Sequence, residues 1–314
     1  MKNALLSLLL ACPLFLSSKG SAAIFGIDNR TIITAGSPQN LLARSTAIAV
    51  LSANHSTAGP GKVKLEVDSL SDLLCRDEKF AQDPSLSYSC SGFLVGPDLI
   101  ATAGHCMVNT GEDRHETDTY CQAYAWLFDF QTSTSGKTNT DSVPAENLYK
   151  CKEVVYAIRE EVAPFRDFAL VRLDRPALGR MPLKLSSHPV AMFDDVSMIG
   201  YPLGSPMKFS PLSKVLFNDL GRQSFVTNLD AFEGNSGSAV FNRSGEVSGI
   251  LIGGTPTQGL IEDTEHHCQR YNRCSEDGTS CQVLDKNTSV FPGFQGYGSE
   301  VQRISPLLEL LKSL

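Results

Sequence analysis

The chain has 314 residues, 42% of them apolar, with 27 basic and 34 acidic side chains and a formal net charge of −7. That apolar fraction excludes a disordered chain and suits a large buried core, in two compact lobes or one large β domain. The anionic balance argues against nucleic acid as a partner.

The chain opens with MKNALLSLLLACPLFLSSKGSAA, in which Lys2 precedes an apolar stretch from Ala4 to Leu16 and a tail of small residues. This is the layout of a signal peptide over residues 1–23, with a small-x-small site (Ser21, Ala22, Ala23) before Ile24. The apolar stretch is too short to span a bilayer, so no transmembrane segment is expected and the location is read as secreted or periplasmic. A competing reading is a lipid anchor at Cys12 in LLAC, but PLFL carries the apolar region beyond it. Loss of residues 1–23 removes Lys2 and Lys19 and no acid, leaving 25 basic against 34 acidic side chains, a net of −9.

Short apolar runs bounded by turn residues follow: TAIAVLS (46–52), SGFLVG (91–96), LIATAG (99–104), YAWLFDF (124–130), EVVYAI (153–158) and FALVRL (168–173). VSMIGY (196–201), SFVTNL (224–229), SAVFN (238–242) and EVSGILIGG (246–254) continue the pattern. Their length and β-branched or aromatic content predict an all-β protein. NRSGE (242–246) reads as a hairpin turn and the Pro/Gly-punctuated stretch 174–190 as the crossing between two lobes. Only SPLLELLKSL at the end reads as a helix, with Ser305 as N-cap and Pro306 in the first turn.

Nine cysteines less Cys12 leave eight in an exported chain, which favours disulfides. The alternative is a metal site in HHCQRYNRCSEDGTSC (266–281), but its spacings lack the paired C-x-x-C of zinc knuckles, and no metal or cofactor is expected. The remaining histidines, His55, His115, His188, His266 and His267, read as solvated or as part of that loop. Asn29, Asn54, Asn242 and Asn287 each begin an N-x-Ser/Thr sequon, of consequence only in a host that glycosylates.

Three segments carry chemistry. CSGFLVGPDLIATAGHC describes a strand pair that ends in His105, pinned between Gly104 and Cys106, with Cys90 sixteen positions before Cys106 and expected to pair with it. RDFALVRL places Asp167 just before an alternating apolar strand, and DAFEGNSGSAVF (230–241) sets Ser236 among Gly234, Asn235 and Gly237. Glycines beside a hydroxyl suit a sharp turn that exposes the oxygen and frees backbone N–H groups. In the order His, Asp, Ser these segments resemble the TAAHC, aspartate-strand and GNSGS segments of chymotrypsin-fold serine proteases. FGIDNRTIIT and FVTNLDAFEGNSGSAVF resemble, within that family, the bacterial glutamyl-endopeptidase-like trypsin relatives.

The resemblance implies two six-stranded antiparallel β-barrels followed by the C-terminal helix. Residues 24–180 are then the N-terminal lobe, with His105 and Asp167, and residues 181–314 the C-terminal lobe, with Ser236 and the terminal helix. It implies a serine endopeptidase acting on a protein or peptide substrate: Ser236 as nucleophile, His105 as base, Asp167 orienting it, and the Gly234 and Ser236 N–H groups as oxyanion hole. Asp230, Leu251 and Gly253 take the positions of substrate-binding residues. Apart from the resemblance, Cys121 is expected to pair with Cys151.

Two departures matter. Asn235 stands where animal relatives keep an activating aspartate, so a trypsinogen-style switch is not expected, although a pro-segment cut after Arg44 in LLARSTA is an alternative. Leu251 stands where glutamyl-specific relatives carry a histidine, so cleavage after basic residues, read by Asp230, is placed ahead of glutamyl or small-apolar specificity. A catalytically silent binding protein on the same fold is the other alternative. An α/β-hydrolase esterase is disfavoured because Ser238 replaces the last glycine of G-x-S-x-G and alternating helices are missing.

Overall fold

A computed structural model describes residues 22–314 except 88, 109–116, 161–163, 257, 285–290 and 292. Residues 1–21 of the expected signal peptide, with Cys12, and also His115 and Asn287, lie outside the described residues. No described helix is long and apolar enough to cross a membrane.

Six strands close the first barrel: β1 (Thr46–Leu51), β2 (Ser91–Leu94), β3 (Leu99–Thr102), β4 (Tyr124–Phe128), β5 (Leu148–Arg159) and β6 (Asp167–Leu173), in the order β4-β5-β6-β3-β2-β1. The second barrel contains β7 (Asp195–Gly200), β8 (Lys208–Phe217), β9 (Ser224–Thr227), β10 (Ala239–Asn242), β11 (Val247–Thr255) and β12 (Gly298–Arg303). Its order is β7-β10-β11-β12-β9-β8, closed by pairing of β7 with β8. All these pairings are antiparallel. This is the expected all-β, two-barrel architecture.

Successive side chains of a strand point to opposite faces, so a continuous apolar run such as β6 is buried on both. In β6, Phe168 and Leu170 face a cluster shared with Ile199, Tyr201 and Phe241 of the second barrel, whereas Ala169, Val171 and Leu173 face a cluster within the first. The first cluster joins the barrels. A separate cluster of Val196, Met198, Val215, Phe225, Val240 and Val301 fills the second.

Two strands escape the apolar pattern. β8 reads KFSPLSKVLF, interrupted by Pro211 and two lysines, and β12 reads GSEVQR, whose buried members include Ser299 and Gln302. Ser299 Oγ donates to the Leu229 carbonyl at 2.7 Å and Lys208 Nζ pairs with Asp83 at 2.7 Å, whereas Ser210 Oγ is buried without a partner among the described residues. At the C-terminus the helix spans Ser305–Lys312, but Ile304 is its N-cap and no side chain caps it. Ser305 is therefore the first helical residue rather than the expected cap.

Four disulfides join Cys75 with Cys268, Cys90 with Cys106, Cys121 with Cys151 and Cys274 with Cys281. All three thiols of the 266–281 run are thus in disulfides, which removes them as metal-binding thiolates. The N-terminal segment is built into the second barrel: Ile24–Phe25 pairs in parallel with Arg273–Cys274, and Thr31–Ile32 pairs with β8. Ala22, Ala23 and Ile24 are fully buried. Cleavage before Ile24 would remove Ala22 and Ala23 but keep Ile24 and Phe25, whereas a pro-segment ending at Arg44 would carry those two buried residues away as well, and the next residue, Ser45, is itself buried.

Candidate active site

His105 stands in a tight turn, Gly104–Cys106, that directly follows β3 and is tied to the start of β2 by the Cys90–Cys106 bond. Gly104 is required by packing, because a Cβ there would lie 1.8 Å from the Ile158 carbonyl oxygen. Asp167 heads β6 and turns its carboxylate onto His105 with both oxygens. The His105 backbone N–H donates to Oδ1 at 2.9 Å, and Nδ1 lies 2.8 Å from Oδ2. A carboxylate at that distance accepts, so Nδ1 carries a proton, and in the neutral imidazole the lone pair is then on Nε2. Nε2 is buried and has no hydrogen-bond partner among the described residues.

Ser236 lies in the turn between β9 and β10 and is 7% exposed. Gly234 and Gly237 hold φ of +87° and +89°, values that side-chain-bearing residues rarely adopt. Within the turn, Asn235 N–H donates to Phe232 O, Gly237 N–H to Leu251 O and Ser238 N–H to Asn235 O. The N–H groups of Gly234 and Ser236 take no partner among the described residues. Two unpaired donors on either side of one residue are what a tetrahedral oxyanion needs.

Asp230 is 3% exposed, six residues before Ser236. Its Oδ1 accepts the N–H of Phe25 at 2.8 Å, while Oδ2 is buried without a partner among the described residues. Burial pushes its carboxyl up to about 7, against the fields of Arg30 and Lys79. Leu251 is buried on β11, where its backbone holds both Gly237 and Ser238; its side chain packs in the second-barrel core with Ala22 and Ala23. Gly253 lies two residues on, opposite Glu300 and past a bulge in the β11–β12 pairing.

Sequence reasoning missed three supports. The first is Arg30, 1% exposed, whose Nε and Nη2 donate to Asp28 at 3.0 and 2.7 Å. Its guanidinium also lies 4.9 Å from the centroid of Phe232, inside the Asp230–Ser236 stretch, and 4.5 Å from Tyr271. The others are Ser91 and Gln302, which bond across the two barrels. Ser91 was within sight, next to Cys90 at the head of an expected strand; Gln302 sits on one of the strands the apolar pattern hides.

A two-barrel fold with a paired histidine and aspartate on one barrel and a glycine-flanked serine turn on the other defines the chymotrypsin-like serine peptidase class. The chain belongs to the trypsin-like peptidase domain family, whose model matches residues 90–250. It is similar to the glutamyl endopeptidase of Staphylococcus aureus (strain MRSA252), at 25% identity over 182 residues, which is 56% of this chain and 45% of that protein. The match thus spans about half the length of that relative. In fold it is similar to a solved Glu endopeptidase in complex with MPD, with a TM-score of 0.50 and 14% identity over 92% of this chain and 98% of that one.

Proposed function

We infer that the protein is an exported serine endopeptidase in which Ser236, His105 and Asp167 act as one unit. The observation that carries this reading is the pairing of both Asp167 oxygens with His105, which leaves Nε2 open as a base. Ser236 Oγ attacks the substrate carbonyl carbon while its proton passes to Nε2. The resulting oxyanion accepts from the Gly234 and Ser236 N–H groups, worth roughly 3 kcal/mol per donor in the transition state. Collapse expels the amine, which takes the proton from His105, and water then repeats the sequence on the acyl-enzyme. The four disulfides support an oxidising, extracytoplasmic location.

For the residue before the scissile bond, the reading is Arg or Lys, with the unpartnered Oδ2 of buried Asp230 as its acceptor. A second reading has its own support. Oδ1 already anchors Phe25 and Arg30 stands nearby, so Asp230 would instead be a structural tie, leaving selectivity to other groups and glutamyl cleavage open. The test compares kcat/KM for identical peptides carrying Arg, Lys, Glu, Leu or Ala before the bond, in wild type and Asp230→Ala. Arg preference lost in the variant supports the first reading; Glu preference, or Arg preference unchanged by the substitution, selects the second. Labelling by a fluorophosphonate separates both from a silent binding protein, which would not react.

A further inference from the structure

We propose that Gln302 and Ser91 are reciprocal positioning residues, each reaching from its own barrel to hold the reacting groups carried by the other. This rests on the serine-peptidase reading above. Gln302 lies on β12 of the second barrel and has no exposed surface. Its Oε1 accepts the N–H of Asp167, at the head of β6 in the first barrel, at 2.9 Å. Its Nε2 donates to the carbonyls of Gln223 and Arg303 at 2.8 and 3.3 Å. Two carbonyls on one side of the amide decide which end is nitrogen, so Oε1 is the end that faces Asp167.

Ser91 mirrors this arrangement. It heads β2 in the first barrel, also with no exposed surface, and its Oγ donates to the Gly234 carbonyl at 2.7 Å while accepting the Tyr201 N–H at 3.2 Å. Its own N–H donates to the Ser236 carbonyl at 2.7 Å. The carbonyls of Gly234 and Ser236 are therefore both held by one residue of the opposite barrel, with the two open N–H groups left in the same turn.

The physical need follows from the division of labour. The base is on one barrel and the nucleophile on the other, so their separation depends on how the barrels are docked. The apolar cluster between the barrels resists parting, but burial is non-directional and does not set a sideways register. Hydrogen bonds do, and a misplacement of about 1 Å costs on the order of 100-fold in rate.

The test measures kcat, KM, thermal midpoint and the rate of fluorophosphonate labelling in Gln302→Met and Ser91→Ala. The control is Ser248→Ala, which removes another buried hydroxyl bond of the second barrel, to the Val240 carbonyl at 3.1 Å. The clamp predicts that each clamp variant loses about 10- to 100-fold in kcat and in labelling rate with KM within about twofold, while the control keeps wild-type kcat. A folded Gln302→Met with kcat within about twofold of wild type overturns it, as does an equal loss in Ser248→Ala. If Gln302→Met does not fold, Ser91→Ala decides: wild-type kcat in that variant overturns the clamp. Ser236→Ala is measured alongside. Turnover in that variant removes the peptidase reading itself, whereas an inactive Ser236→Ala beside a fully active Gln302→Met removes only the clamp.

Discussion

The backbone N–H of Phe25 donates to Oδ1 of Asp230 at 2.8 Å, across 205 residues of sequence. The N-terminal segment is thereby fastened to the residue six places before Ser236. Burial raises this carboxyl to about 7 from the 3.8 of an exposed aspartate, outweighing the Phe25 N–H and the fields of Arg30 and Lys79, which favour its ionised form.

This gives a stability prediction with a defined sign. Between about pH 4 and 7 the folded chain keeps a proton on Asp230 that the unfolded chain has lost, so stability falls as pH rises through that window. Asp230→Asn keeps an acceptor for Phe25 and has no proton to lose. Its thermal midpoint should match wild type near the acid end and exceed it by several degrees above the window. A gap that stays constant with pH would refute the buried, protonatable carboxyl.

Ser236→Ala should lower kcat by about 10⁶ without altering the fold, and His105→Ala should fall about as far, since members of such a unit act together. The measurement is peptide turnover on rigorously purified variants with circular dichroism as the check on folding. Near-wild-type turnover in either variant would remove that residue from the mechanism.

The disulfides should differ in what they protect. Cys90 and Cys106 are 16 residues apart and Cys75 and Cys268 are 193 apart. In the chain-entropy model these closures are worth about 3 and about 5 kcal/mol. Replacing Cys75 and Cys268 by serine should therefore lower the urea midpoint more. Replacing Cys90 and Cys106 should lower kcat more at a temperature where both variants are folded, because that bond holds the turn bearing His105. The reverse ranking in kcat would show that the staple does not position the imidazole.

Gly237→Ala should fail where Gly245→Ala is tolerated. Both glycines have positive φ, +89° and +75°, but a Cβ at Gly237 would lie 2.0 Å from the Ser91 carbonyl oxygen, while one at Gly245 meets nothing within 4 Å. The second change should cost about 1 kcal/mol from backbone strain alone. The first adds a clash with rigid backbone next to Ser236 and should leave little folded, active protein. Expression yield and thermal midpoint of the two variants test this, and equal yields and midpoints would disprove the close approach.

The sequence by itself determined the strand content and the fold class. Runs such as TAIAV and FALVR bury both faces, so their length and apolar content mark them as strands without knowledge of the partner strand. It also marked His105, Asp167 and Ser236, because each lies in a short local pattern of turn, strand and glycine that any reader of the chain can see. The tertiary structure alone decided which groups hold those three in place. Gln302 sits on β12, where Ser299, Glu300 and Arg303 bond within the second barrel and Gln302 Oε1 meets Asp167 of the other, and no local pattern encodes a partner 135 residues away. The same holds for Asp230: sequence shows a carboxylate before the serine turn, while its burial, its bond to Phe25 and its raised proton affinity come from a chain segment more than 200 residues earlier. Apolar content is a property of one strand, but the satisfaction of a buried polar atom is a property of the pair.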